Sequence, residues 1–264
     1  MKNYKKYEKL VNEFILISQK GWNQSVCNDT GGVGLTFESL LDKKADSMFF
    51  PDYYGTEIKC TTRFSGYPIS LFSKSFDGPL LYEMNRILEK YGRDDNVYQG
   101  RKLLNVDLKV NEKVLVNNKY FFKLQLDYKQ EKMFLFIYDI KGNLLENDVY
   151  ADFDSLKVHL QTKLSSLSIV YASKKIIDKK DYFRYYKMSI YELISTEKFI
   201  ELIEKNKIVI SLVGRVSRSG TGAGRQRNKG LIFKIPKDNI NELFKEIVTY
   251  NLDKMKYAND NILL

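Results

Sequence analysis

A chain of 264 residues can bury a core of its own, as one large domain or two smaller ones, and 44% hydrophobic with 29% charged residues is a globular composition that excludes extensive disorder. The formal net charge of +10 favours a polyanionic partner, nucleic acid or an anionic surface. The longest apolar runs, Met133–Tyr138 and Lys207–Val213, are only strand length, and the basic N-terminus lacks the apolar core and cleavage site of a signal peptide, so no membrane role and a cytoplasmic location are expected.

Taken in chain order, Tyr4–Ser18 carries apolar residues at helical spacing and predicts an amphipathic helix. Gly21–Val33 is rich in Gly, Asn, Asp and Ser and reads as a loop. Thr36 then suits the cap region of a short helix through Leu41, with Phe37, Leu40 and Leu41 on one face and Glu38 on another. Thr56–Thr62 alternates as a strand, with Ile58 and Cys60 on one face and Glu57, Lys59 and Thr61 on the other. Ile69–Ser73 is a second strand, and Leu80–Tyr91 a helix ended by Gly92. Leu104–Asp107, Tyr120–Leu126 and Met133–Asp139 predict a meander, followed by a turn at Lys141–Asn143 and a helix over Asp154–Leu164. Ser168–Ser173 and Tyr182–Met188 read as strands and Ser189–Asn206 as a helix. Lys207–Val216 and Gly230–Lys234 form a hairpin across a long Gly- and Arg-rich loop, before a last helix over Asn239–Leu252. The fold class expected is mixed α/β of α+β character, a central mixed sheet flanked by helices.

The chemistry available is narrow. Cys27 and Cys60 lack the paired spacing of a zinc site and are too few for a disulfide scaffold. His159, the single histidine, lies off the apolar stripe of Phe153, Leu156, Leu160 and Leu164, where a surface or boundary role is expected. Histidine-dependent hydrolysis would rest on that residue alone. What remains is Phe50–Lys59 (FPDYYGTEIK), an Asp followed after four residues by Glu-x-Lys. Period-two geometry puts Glu57 and Lys59 on one face of a strand, and a turn upstream can bring Asp52 beside Glu57. Two carboxylates plus a backbone carbonyl, that of Ile58, make the hard oxygen site that Mg²⁺ prefers. Lys59 can then orient or deprotonate a water and hold a phosphate oxygen. The spacing alone also fits an exposed strand with an ordinary ion pair.

Gly32–Lys59, with G-x-G-x-T-F-E-x-L-L, then P-D and E-I-K, followed by L-F-x-K-S at Leu71–Ser75, closely resembles the MvaI/BcnI restriction endonucleases, relatives of the nicking enzyme MutH in the PD-(D/E)xK superfamily. The Tyr138–Tyr150 region, Phe153–Ser155 and the strand–loop–strand at Ile208–Ile235 fit the same family in the same order. The resemblance implies a restriction-endonuclease-like fold of two lobes around a DNA cleft. The catalytic lobe is expected over about residues 1–80 and 104–175, and the recognition lobe over about 80–103 and 176–264. It also implies that Asp52 and Glu57 bind Mg²⁺, that Lys59 is the catalytic lysine, and that Glu38 reaches the same site. Lys74 is a weaker candidate for a phosphate contact.

Gly214–Gly230 (GRVSRSGTGAGRQRNKG) holds Arg215, Arg218, Arg225, Arg227 and Lys229 and no acid. Arginine forks read guanine edges bidentately, and Gln226 and Asn228 can address adenine. The same charges would also serve sequence-independent phosphate contact. Arg63, just after the catalytic strand, is a further backbone or minor-groove candidate. The resembling enzymes carry histidines in the loop, and this chain has none there.

The resemblance thus implies a type II restriction endonuclease that cuts double-stranded DNA at a short, near-palindromic site of the CCNGG kind. It implies a monomer nicking the strands in turn, with a cognate methyltransferase encoded nearby. A MutH-like strand-specific nickase and a non-catalytic basic DNA-binding protein are the alternatives, separable by whether a plasmid is linearised, nicked or merely bound.

Overall fold

The computed structural model describes residues 4–27, 31–41, 51–62 and 66–253. In chain order the elements are α1 (Glu8–Gln19), β1 (Asn23–Gln24), α2 (Gly32–Leu40), β2 (Glu57–Thr62), β3 (Ile69–Lys74), α3 (Glu83–Tyr91), β4 (Arg93–Asp94), β5 (Lys102–Leu108), β6 (Val114–Val116), β7 (Tyr120–Asp127), β8 (Lys132–Asp139) and β9 (Leu144–Asp152). Then follow α4 (Phe153–Leu164), β10 (Ser166–Ile177), β11 (Lys180–Leu193), α5 (Thr196–Glu204), β12 (Val209–Val216), β13 (Gln226–Ile235), α6 (Ile240–Leu243) and β14 (Phe244–Asn251). The chain divides into two compact units. The first comprises Met1–Tyr67, Thr162–Ile194 and Phe244–Leu264, the second Pro68–Gln161 and Ser195–Leu243.

The first unit is built on a mixed sheet of order β1-β11-β10-β2, with β14 also on β11. β10 and β11 form a long antiparallel hairpin whose turn residues, Asp178 and Lys179, both have positive φ. β2 runs parallel to β10, register Glu57 to Leu167. One core joins α1 and α2 to this sheet. Leu10, Val11, Phe14 and Ile17 are the buried stripe of α1, and Phe37 of α2 meets the Tyr185 ring at 4.9 Å. Each such buried side chain contributes about 1.5–3 kcal/mol by leaving water.

The second unit holds an antiparallel sheet of order β3-β13-β12-β5-β4 and a meander of order β6-β7-β8-β9. Phe72, Phe199 and Phe233 pack together at ring separations of 4.9–5.6 Å, binding α5 to the first of these sheets. His159 is half-buried with its ring 4.9 Å from Phe72, a boundary position as expected.

The mixed α+β architecture is as anticipated, but four local expectations are corrected. β5 pairs with β12 and not with β7, so the meander begins at β6 and ends with β9, a strand the sequence reading did not include. Thr36 lies inside α2, buried, where its hydroxyl accepts from Val26 N at 3.1 Å; the helix starts four residues earlier. Ser189–Leu193 continues β11, and only Thr196–Glu204 is helical, capped by Ser195 accepting from Lys198 N at 3.1 Å. The final helix is reduced to Ile240–Leu243, after which Phe244–Asn251 is a strand. Both misread segments pair with each other, Ser189 and Thr249 sharing a 2.6 Å hydroxyl contact. Cross-strand pairing of β-branched and aromatic residues overrode a helical apolar spacing. Among the described residues no helix is long and apolar enough to cross a membrane.

Candidate active site

The spacing between Asp52 and Glu57 is the geometry of a tight hairpin. Tyr53 N donates to Thr56 O at 3.0 Å and Thr56 N to Tyr53 O at 2.9 Å. The two residues between, Tyr54 and Gly55, have φ of 47° and 77°, as a type I′ turn requires. The chain therefore doubles back beside the start of β2, and the Asp52 carboxylate accepts from Ile58 N at 3.0 Å. A strand residue's N–H and C=O point to the same side, so the Ile58 carbonyl also faces the Asp52 side. β10 is the neighbour of β2 in the sheet order, which leaves that side of β2 without a paired strand among the described residues.

Glu57 is 1% exposed. Its Oε1 meets Lys59 Nζ at 2.5 Å and Lys163 Nζ at 3.6 Å, while its Oε2 is buried and makes no hydrogen bond. Burial raises the proton affinity of this carboxyl; Lys59 opposes the shift and the nearby Asp52 charge adds to it. Glu38, half-buried on α2, belongs to the same electrostatic neighbourhood: burial first, then the Glu38 and Asp52 charges, push the Cys60 thiol up. Lys163, in the last turn of α4, is the site residue that sequence reasoning missed. Its only signal was a position ten residues into a helix whose register against β2 cannot be read from local pattern.

Among the described residues no three Asp, Glu, His or Cys side chains converge as a ready cage. What is present is a pair of carboxylates, an unpartnered buried oxygen and an edge-facing carbonyl. That donor set fits a hard divalent cation that keeps several of its own waters. Asp52, Glu57 and the Ile58 carbonyl are the groups that could hold it, with Lys59 beside them.

The residues singled out for reading DNA do not form one loop. Gly214–Val216 and Gln226–Gly230 belong to β12 and β13, so the hairpin tip is shorter than expected, with Arg215 opposite Arg227 across the strands. Arg215, Arg225, Arg227 and Lys229 are exposed. Arg218 is held by a two-pronged ion pair to Asp95, at 2.9 and 2.6 Å. Asp95 also accepts from Val97 N and Tyr98 N, and Arg218 above all holds its carboxyl well below the usual range. The Gln226 amide is spent on backbone, accepting from Lys102 N at 3.2 Å and donating to Lys102 O and Arg215 O. Arg227 Nε donates to Ser217 Oγ at 3.0 Å, and Asn228 bonds Asn85. Lys74 is paired with Asp77 at 2.5 Å. Arg63 lies outside the described residues.

The glycines also serve the fold. A Cβ on Gly214 would sit 2.7 Å from Leu88 of α3, and one on Gly230, at φ +70°, 2.5 Å from the Lys74 carbonyl. These are close approaches within the unit rather than toward an outside surface.

Over residues 11–244 the chain matches the family model of the MvaI/BcnI restriction endonuclease family. A solved structure described as a restriction endonuclease MvaI–cognate DNA substrate complex is 27% identical, with a TM-score of 0.85 over 94% of this chain and 100% of that one. Another, MvaI in the absence of DNA, is 25% identical with a TM-score of 0.56 and the same coverage. No curated protein sequence matches the chain. The fold and these matches define a restriction endonuclease, a type II site-specific deoxyribonuclease. The chain belongs to the MvaI/BcnI restriction endonuclease family.

Proposed function

We propose that the protein is a Mg²⁺-dependent endonuclease that hydrolyses both strands of duplex DNA at a short, near-palindromic, CCNGG-like sequence, as a monomer that nicks one strand and then the other. The observation that carries the metal-dependent chemistry is the Glu57 carboxylate. It is buried, has one oxygen unpartnered and stands beside Asp52 on a strand edge. A buried anion of this kind is costly unless a cation completes it. Bound there, Mg²⁺ would neutralise charge at the phosphodiester and acidify a water.

The chain's own groups supply the rest. Asp52 is oriented by the Ile58 N–H, and Lys59 by its contact with Glu57. On the same face, the Lys59 ammonium would hold a phosphate oxygen and orient the attacking water by hydrogen bonding; as the new P–O bond forms and the scissile P–O bond breaks, the water's proton passes to solvent and the leaving oxygen takes one from solvent. Glu38 lies within electrostatic reach and would add a carboxylate to the water side. In this reading the first unit cuts and the second reads, its exposed Arg215, Arg225, Arg227 and Lys229 addressing guanines and phosphates. Arg218, Gln226 and Asn228 hold the reading hairpin in shape. A cognate methyltransferase protecting the same site completes the system.

The test is a supercoiled plasmid carrying one site, with Mg²⁺ or EDTA. Linear product with Mg²⁺ alone, and sequenced ends that share one short motif, support the reading. Nicked circles that never linearise would replace it with the MutH-like alternative, and cleavage in EDTA would remove the metal.

A further inference from the structure

In the second unit, three consecutive large apolar side chains stand in solvent immediately before α3. Leu80 is 57% exposed, Leu81 82% and Tyr82 70%. The backbone that carries them is firmly mounted. Asp77 N and Gly78 N both donate to Tyr150 O, at 2.8 and 3.3 Å, and Tyr150 N returns a 3.0 Å bond to Gly78 O. Gly78 presses so close that a Cβ there would lie 2.5 Å from the Tyr150 ring. On the other side Glu83, 1% exposed, accepts from Leu80 N at 3.0 Å and from Arg86 Nε at 2.8 Å. Apolar side chains held outward on a fixed backbone mark a contact surface.

The neighbouring residues say what it touches. Tyr82 O accepts from Asn85 N at 2.9 Å, and the Asn85 side chain accepts from Asn228, which stands between exposed Arg227 and Lys229 on β13. The apolar triplet is thus one helical turn from the basic hairpin, and Gly214–Gly230 contains no acid. A face that continues into exposed arginines is complementary to a polyanion. Three side chains are also far too small a patch for a protein interface, which needs about 800 Å² per partner.

We infer that Leu80, Leu81 and Tyr82 form an apolar wedge that contacts the base pairs of the duplex read by the adjacent arginine hairpin. Leucine side chains fit thymine methyls or press into a base step, and the tyrosine ring can stack on an unstacked base. This rests on the proposed binding of duplex DNA. It adds a sequence-dependent contact that is insensitive to salt, beside arginines whose contribution falls with salt.

The test uses the full-length protein in EDTA, which prevents cutting, with duplexes carrying the sequenced site and 2-aminopurine placed at successive positions. Leu81→Ser/Tyr82→Ser is compared with wild type and with Val158→Ser, an exposed apolar residue elsewhere in the unit (60% exposed). The double variant should melt as wild type does, bind the site about tenfold more weakly, and lose the fluorescence rise that marks an unstacked base. Val158→Ser should do none of this. A double variant that binds with wild-type affinity and fluorescence overturns the wedge while leaving DNA binding intact. So does a double variant whose one change is loss of self-association in sedimentation. A wild-type protein that binds no duplex overturns both the wedge and the function beneath it.

Discussion

Replacing Glu57 by Gln separates what this carboxylate does for chemistry from what it does to the fold. The side chain is 1% exposed and its Oε2 has no partner. A buried polar atom left unsatisfied costs about 1–3 kcal/mol, and more when charged. The Lys59 contact at 2.5 Å offsets part of this, discounted because the lysine side chain is 28% exposed; Lys163 at 3.6 Å adds less. Burial prevails over both lysines, since the carboxyl's proton affinity is raised. A carboxyl whose pKa rises on folding binds protons more tightly in the native state. Its charge therefore destabilises once the pH passes the unfolded value of about 4.3, and fully above the folded value. The Gln variant is expected to stabilise the metal-free protein at pH 8 by about 1–2 kcal/mol, a Tm gain of about 2–6 °C. The gain should shrink as the pH falls toward the unfolded carboxyl range. Cleavage should fall about 10³-fold, several kcal/mol of lost charge stabilisation. Thermal melts in EDTA at pH 5 and pH 8, with single-turnover cleavage in Mg²⁺, measure both. A variant less stable than wild type at pH 8, or a stability difference identical at the two pH values, would refute the reasoning.

Other residues are expected to respond in distinct ways. Gly55→Ala should lower stability by about 1 kcal/mol through backbone strain alone, because φ is 77° and nothing lies within 4 Å of the added Cβ. Gly55→Asn should be milder, and urea melts rank the two. Lys163→Met should move the acid limb of the cleavage pH profile to higher pH, because a cation that favours ionised Glu57 is gone. Lys163→Arg should restore the limb, and an unmoved limb in the Met variant would make Lys163 a bystander. Arg218→Lys should loosen the hairpin against Asp95, raising KM for the specific site more than it lowers kcat, since a single ammonium cannot reproduce the two-pronged pair. Equal losses in both parameters would argue that Arg218 touches the reacting strand.

The Asp52–Lys59 segment was legible because its information is local. D-x₄-E-x-K encodes a two-residue turn and a period-two strand, and both are realised, with Tyr54–Gly55 as the turn and Ile58 donating to Asp52. Lys163 was hidden because it reaches Glu57 from a helix 106 residues away in the chain. The apolar spacing of Ser189–Leu193 and Phe244–Asn251 suits helix and strand alike, and only their pairing with each other decides. The same limit applies to the basic stretch. Arginine and glycine content announced a nucleic-acid surface, yet Arg218 and Gln226 are committed to Asp95 and to backbone, and Gly214 and Gly230 to close packing. Asp95, the residue that fixes Arg218, gave no sign of that role in its own neighbourhood of the sequence.

The most direct test of a metal-dependent site at Asp52, Glu57 and Lys59 is Asp52→Asn on a single-site plasmid with Mg²⁺. The amide oxygen can still accept from Ile58 N, so the hairpin should persist and the protein should fold and bind the site as wild type does. The account predicts bound but uncut plasmid. Linear product at the wild-type rate would contradict it.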